Sequence, residues 1–239
     1  IHKNMEQQVL KMADMTLATG PTAADEFKKL GARKTAYITN GFDKSDYPIE
    51  SSELASDTFT ITYVGMLNQD RNPSVLWEVI DQLCNQKEVA ARLKVNITGI
   101  ISPIVREEID SLLNLKQVVS FQDSVGHKEV FELYSTSNVL LLLQSNEEGS
   151  FSQLPGKLFE YFGAQKQILA LGYPDSDIDK LIKETKAGAL YSYSDKKGMR
   201  LYLENALSEA GTEQLNALNV GQFERRALTE KLAQLLGAL

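Results

Sequence analysis

Three side chains in this sequence have the types and spacing to meet a charged ligand. Lys157 and Glu160 stand three apart in "SQLPGKLFEYFG" (152–163), among aromatic and aliphatic residues. On a helix starting near Gly156 they face the same side. Arg71 stands in a second polar loop, "GMLNQDRNP" (65–73). A helix start carries unpaired N–H groups and the positive end of its dipole, which together favour an anion. Gly156 lets such a ligand approach the backbone, Lys157 adds a full positive charge, and Arg71 can supply a second. Two cations over a helix N-terminus suit a diphosphate. A carboxylate cannot help there, but Glu160 can accept two hydrogen bonds from vicinal ribose hydroxyls, as an acidic residue does in dinucleotide-binding folds. The plainer alternative is an exposed Lys–Glu surface pair, worth roughly a few tenths of a kcal/mol.

Loops of this kind need a scaffold. From residue 58 onward, strand-like runs alternate with helical patterns: "TFTITYVG" (58–65), "NPSVLWEVIDQLCNQ" (72–86), "LKVNITG" (93–99) and "SPIVREEIDSLL" (102–113). Asn72 reads as the N-cap of the first of these helices and Pro73 as its first residue. Val75, Leu76, Val79, Ile80 and Leu83 mark its apolar face. The order repeats with "VVSF" (118–121), "HKEVFELYSTS" (127–137) and "NVLLLLQ" (138–144), then with "GKLFEYFGAQ" (156–165), "QILALG" (167–172) and "SDIDKLIKETKAG" (176–188). The leucine run has no alternation, as a central parallel strand covered on both faces requires. "GALYSY" (188–193) reads as a last strand and "FERRALTEKLAQLL" (223–236) as a last helix. This pattern predicts an α/β fold with a doubly wound parallel sheet, whose ligand sits beyond the carboxyl ends of the strands. The loops carrying Arg71 and Lys157 are two of those ends.

The first 45 residues read as a fragment of a similar unit: a helix to about Met12, "MTLATG" as a strand, a helix through Leu30, then "TAYITNG". Residues 46–57 are polar and read as an interdomain linker.

Composition narrows the function further. The 239 residues carry a net charge of -7, with 43% hydrophobic and 24% charged residues, the balance of a globular protein and one that disfavours a broad nucleic-acid footprint. Cys84 is the one cysteine and reads as a core thiol. The two histidines, His2 and His127, are far apart, which makes a zinc site improbable. No run approaches the roughly 20 apolar residues that span a bilayer. Glu107 and Glu108 read as solvated faces, and Trp77 and Tyr134 as packing residues.

Three segments in order, "ITNGFD" (38–43), "ITYVGMLNQDRNP" (61–73) and "LPGKLFEYFGAQKQILAL" (154–171), give the chain a family likeness. It resembles the nucleotide-sugar-binding, Rossmann-like half of GT-B glycosyltransferases, in particular the retaining group-one family (family four). The resemblance implies that residues 1–45 end an N-terminal domain, that 58–239 form the donor-binding domain, and that the last helix packs back toward the first part. It puts Arg71 and Lys157 at the donor diphosphate, Glu160 on the ribose and Gly65 beside the phosphates as a close-approach glycine. Gly99 and the segment after Val119 would frame the base. His127 would be a capping residue or part of that base pocket.

The activity implied is transfer of a sugar, with retention, from a UDP- or GDP-sugar to a glycan or lipid-linked acceptor held by the N-terminal domain. No metal or other cofactor is expected, and no nucleic-acid partner. The setting implied is the cytoplasm, at the inner face of the membrane if the full-length protein associates with it peripherally. The sequence departs from the family in one place. Where many members carry a second glutamate, eight positions before the ribose one, this chain has Ser152, with Glu147 and Glu148 nearby but out of register. A non-catalytic nucleotide-sugar-binding module and a nucleotide-sugar epimerase on the same fold therefore remain open.

Overall fold

The computed structural model describes residues 2–47, 57–145, 150–208 and 220–238. Most of the expected linker, and Glu147 and Glu148, lie outside the described residues. The first part contains α1 (His2–Met12), β1 (Thr16–Ala18), α2 (Pro21–Lys29) and β2 (Thr35–Tyr37). β1 and β2 form a small parallel sheet, Thr16 opposite Thr35.

The second part runs β3 (Phe59–Val64), α3 (Ser74–Leu83), α4 (Lys87–Arg92), β4 (Leu93–Thr98), α5 (Pro103–Ser111), α6 (Leu115–Val118), β5 (Val119–Gln122), α7 (His127–Ser135) and β6 (Val139–Leu143). It continues with α8 (Gly156–Ala164), β7 (Gln167–Leu171), α9 (Asp177–Thr185), β8 (Gly188–Tyr191), α10 (Lys196–Ser208) and α11 (Arg225–Gly237). Its strands form a six-stranded sheet in the order β5-β4-β3-β6-β7-β8, parallel throughout. The chain winds outward in one direction from β3 and then in the other from β6. The crevice between their carboxyl ends is where such sheets bind ligands.

β6 shows why its leucines do not alternate with polar residues. Val139, Leu141 and Leu143 enter one apolar cluster with residues of α3, α5 and α10. Leu140 and Leu142 enter another with residues of α7, α8 and α9. Each leucine so buried stabilises the fold by about 1.5–3 kcal/mol. Cys84 ends α3 as a buried thiol, and burial, reinforced by Asp81, pushes it up to about 11.

The start of α3 differs from expectation. The helix begins at Ser74 with Pro73 as its N-cap. Asn72 is engaged elsewhere: its Oδ1 accepts from Trp77 Nε1 at 2.9 Å, and its Nδ2 donates to Glu108 Oε2 at 2.5 Å. The indole N–H buried in the core needs an acceptor, and Asn72 supplies it. Glu108 is thereby a loop-tying carboxylate rather than part of a solvated face, whereas Glu107 is exposed.

Among the described residues several contacts tie the two parts together, the bond from the Tyr47 hydroxyl to the Glu160 carbonyl among them. The Asp177 carboxylate, buried at the start of α9, accepts from the Thr22 N–H at 3.1 Å and the Thr22 hydroxyl at 2.7 Å. Phe42 N–H donates to the Phe223 carbonyl and Arg225 N–H to that of Phe42. The Lys231 ammonium of α11 lies 4.6 Å from the centre of the Tyr37 ring.

Candidate functional site

β3 ends at Val64, and the chain turns at Gly65 with φ +139°, a region that favours glycine. The turn is fixed by Gly65 N–H donating to the Thr98 carbonyl at 2.8 Å and Leu67 N–H to that of Ile100 at 2.8 Å. A side chain on Gly65 would begin 2.5 Å from Lys157 Nζ. The glycine and the lysine, remote in sequence, thus meet across the crevice between β3 and β6.

Lys157 lies in the first turn of α8, whose N-cap is Pro155 and which has no side-chain cap. The N–H groups of Gly156 and Lys157 thus meet no capping side chain. The Lys157 ammonium donates to the Val64 carbonyl and lies 5.1 Å from the centre of the Tyr63 ring. Burial lowers its pKa, Glu160 pulls it back up, and Arg71 lowers it further. Arg71 closes a short 3-10 turn, Gln69–Arg71, in the same loop as Gly65. Besides Lys157, its charge acts on Tyr63 and Tyr193. Among the described residues no carboxylate pairs with Arg71. The two cations therefore share one crevice and repel each other, an arrangement that an anion would relieve.

Glu160, one turn along α8, is held both from α7 and from the first part of the chain. Its Oε2 accepts from the Tyr134 hydroxyl at 2.9 Å, and its backbone carbonyl accepts from the Tyr47 hydroxyl at 2.7 Å. It is not the exposed member of a surface pair. The Asn40 amide lies near the start of α8, 3.9 Å from where a side chain on Gly156 would begin.

A cleft of about 240 Å³ adjoins Gly65, lined by Val64, Thr98, Gly99, Ser124, Val125 and Val130 among others. Gly99 and the loop after β5 thus border a space one residue away from the cations. His127 is exposed at the first position of α7, its ring 4.7 Å from that of Phe131. Ser152 ends a 3-10 turn, Ser150–Ser152, that leads toward α8.

The structure thus gathers Gly65, Arg71, Gly156, Lys157 and Glu160 along one rim. Sequence reasoning missed Tyr134 and Tyr47 as partners of Glu160, and it also missed Gln144. The Gln144 side chain donates to the Ser150 carbonyl at 2.5 Å and accepts from Tyr173 N–H at 3.1 Å. It ties the loop after β6 to the loop after β7. Its place at the end of the leucine run, a buried polar residue needing partners, was the available signal.

No family model matches this chain and no curated protein matches it; its likenesses are to solved structures. Sucrose-phosphate synthase from Thermosynechococcus elongatus superposes with TM-score 0.72 at 19% identity, over 99% of this chain and 61% of that one. A glycosyltransferase from Rickettsia africae ESF-5 gives TM-score 0.76 at 15% identity, over 98% and 65%. The lipopolysaccharide outer core galactosyltransferase WaaB gives 0.71 at 16% identity, over 95% and 63%. The chain spans less than two thirds of each. At these identities the likeness establishes the fold: an α/β, doubly wound, Rossmann-like sheet of the GT-B kind.

Proposed function

We propose that this chain is the donor-binding part of a glycosyltransferase, holding a nucleoside-diphosphate sugar for transfer, with retention, to a glycan or lipid-linked acceptor. The observation that carries this reading is the meeting of Lys157 with Gly65 and Val64 at the crevice between β3 and β6, with Arg71 beside it. The names of the similar structures, two of them glycosyltransferases by name, support the reaction class. Residues 1–45 are read as the end of an N-terminal domain that would carry the acceptor, and residues 46–57 as the join. Peripheral contact of the full-length protein with the cytoplasmic face of a membrane fits a lipid-linked acceptor. No helix among the described residues is long and apolar enough to cross one.

In this reading the diphosphate lies over the start of α8. An ammonium has three hydrogens; one meets Val64, and the other two can reach phosphate oxygens. Arg71 adds a planar fork suited to the same group. As the glycosidic bond to the diphosphate breaks, negative charge grows on the leaving phosphate. Pre-placed cations in a partly desolvated crevice stabilise that charge more than they stabilise the bound donor. Glu160 accepts from the ribose hydroxyls, and the cleft bordered by Gly99 and Val125 takes the base. We read binding as metal-independent, because side-chain cations and the helix start already supply positive charge. Ser152, at the position of the family's second glutamate, favours one alternative, a module that binds the nucleotide sugar without transferring it.

Calorimetric titration of the chain with UDP and GDP, with and without EDTA, tests the site. Micromolar to millimolar binding that EDTA leaves unchanged is expected, and no heat with either nucleotide at millimolar concentration would remove the proposed site. Sugar transfer by the full-length protein separates the transferase from the binding module.

A further inference from the structure

Glu160 is a half-buried glutamate on an otherwise apolar stretch of α8, and its carboxylate is already engaged. The partner is the hydroxyl of Tyr134, a residue of α7 that is 1% exposed. The tyrosine has little freedom to move. Its ring makes edge contacts with Phe131 at 5.7 Å and Tyr161 at 5.1 Å between centroids, and Phe131 is in turn held by Tyr47 at 4.7 Å. Tyr47 also donates its own hydroxyl to the backbone carbonyl of Glu160 at 2.7 Å. The glutamate is thus fixed at two points, its main chain by one tyrosine and one carboxylate oxygen by the other.

Tyr134 bonds Oε2 only, which leaves Oε1 and the remaining lone pair of Oε2 for a ligand. Both tyrosine hydroxyls stay protonated donors, because burial and the neighbouring Glu160 charge raise their pKa values far above the usual range.

We propose that Tyr134 is a positioning residue, which aims the Glu160 carboxylate at the ribose hydroxyls of the bound nucleotide. The proposal rests on the donor-binding reading above and assigns a cause to its ribose selectivity. An unrestrained glutamate loses rotamer freedom when it meets a ligand. A glutamate already held by a rigid donor has met that cost on folding, so binding is tighter. The simpler role for Tyr134 is to satisfy its own buried hydroxyl, with Glu160 a convenient acceptor. The two roles differ in which ligands feel the loss of the hydroxyl.

The experiment titrates UDP and GDP, and their 2′,3′-dideoxy analogues, into the wild type, Tyr134→Phe, Glu160→Ala and the double variant. Phenylalanine keeps the ring and its edge contacts. The expected result is that Tyr134→Phe weakens the ribose ligands about three- to tenfold, the worth of one ordinary hydrogen bond. The dideoxy ligands should change by less than about twofold, and Tyr134→Phe should add nothing in the Glu160→Ala background, since contacts acting as one unit are not additive. If Tyr134→Phe weakens ribose and dideoxy ligands alike, or weakens neither, the positioning role is overturned and Glu160 keeps its place. If Glu160→Ala itself removes no preference for ribose, the ribose reading falls and the positioning role falls with it.

Discussion

The ammonium of Lys157 donates to the carbonyl of Val64, a residue 93 positions earlier in the chain. That bond joins the first turn of α8 to the last residue of β3 at the one place where the winding of the sheet reverses. Neither β3 nor α8 alone makes a site. The lysine needs the strand end to fix its ammonium, and the strand end needs a residue without a side chain so that the ammonium can approach.

Gly65 is that residue, and Gly65→Ala tests the arrangement. The added methyl would lie 2.5 Å from Lys157 Nζ at φ +139°. Left-handed backbone of this kind costs a residue with a side chain about 1–3 kcal/mol, so the melting temperature should fall. Nucleotide affinity should fall further than stability alone explains, because the lysine is displaced. A variant that melts lower but binds UDP and GDP as before would place Lys157 away from the ligand.

Lys157→Met separates function from fold. Burial already disfavours the charged form of Lys157, so an apolar side chain of similar length should not lower the melting temperature. Diphosphate affinity should drop by roughly tenfold or more, since a charge-assisted hydrogen bond is worth about 1.5–3 kcal/mol. Lost stability with retained binding would instead make Lys157 a structural strut.

The sheet and the rim were largely legible in the sequence, because periodicity and glycine placement encode them locally. The unalternating leucines of β6 announced a strand covered on both faces, and Gly156-Lys157 announced a helix start. α10 was overlooked, although Met199, Leu203 and Leu207 recur at helical spacing and are buried with the α3 cluster. The lysine- and glycine-containing start of that helix disguised it. The Asn72 side chain looked like a cap because a cap depends only on local residues. Its actual partners, Trp77 and Glu108, are set by tertiary packing. Tyr134 was read correctly as buried, but its hydroxyl acceptor belongs to another helix. No pattern within α7 could have shown it.

Asp177 offers a test of how residues 2–47 are held. Its carboxylate meets both the backbone N–H and the hydroxyl of Thr22 at the start of α2, and Lys180 lies 3.9 Å away. Asp177→Ala leaves those half-buried donors without a protein acceptor, a cost of about 1 kcal/mol. The first part should detach before the sheet unfolds, so limited proteolysis should cut within residues 2–47 at temperatures where the wild type resists. Equal protection in both proteins would show that the remaining contacts, from Tyr47, Phe42 and α11, suffice.

The pH dependence of binding distinguishes Lys157 from Arg71 and has opposite signs for affinity and stability. Burial, and then the charge of Arg71, lower the Lys157 pKa from the ordinary 10.5, against the opposing pull of Glu160. A bound diphosphate favours the charged ammonium and raises that pKa again, so binding takes up a proton in the window between the two values. Affinity should therefore fall as pH rises through the lowered pKa, by up to about tenfold per pH unit for one group. The second cation, Arg71, is left in place, so binding declines without vanishing. Stability moves the other way. The unfolded chain keeps its lysine protonated to a higher pH than the fold does, so in the same window the unfolded state binds more protons and this lysine's contribution to stability rises with pH. UDP titrations between about pH 7 and 10, on the wild type and on Lys157→Met with melting curves alongside, report both slopes. The variant's affinity should be weak and flat. A wild-type affinity equally flat across that range, or a decline shared by the variant, would remove Lys157 from contact with the diphosphate.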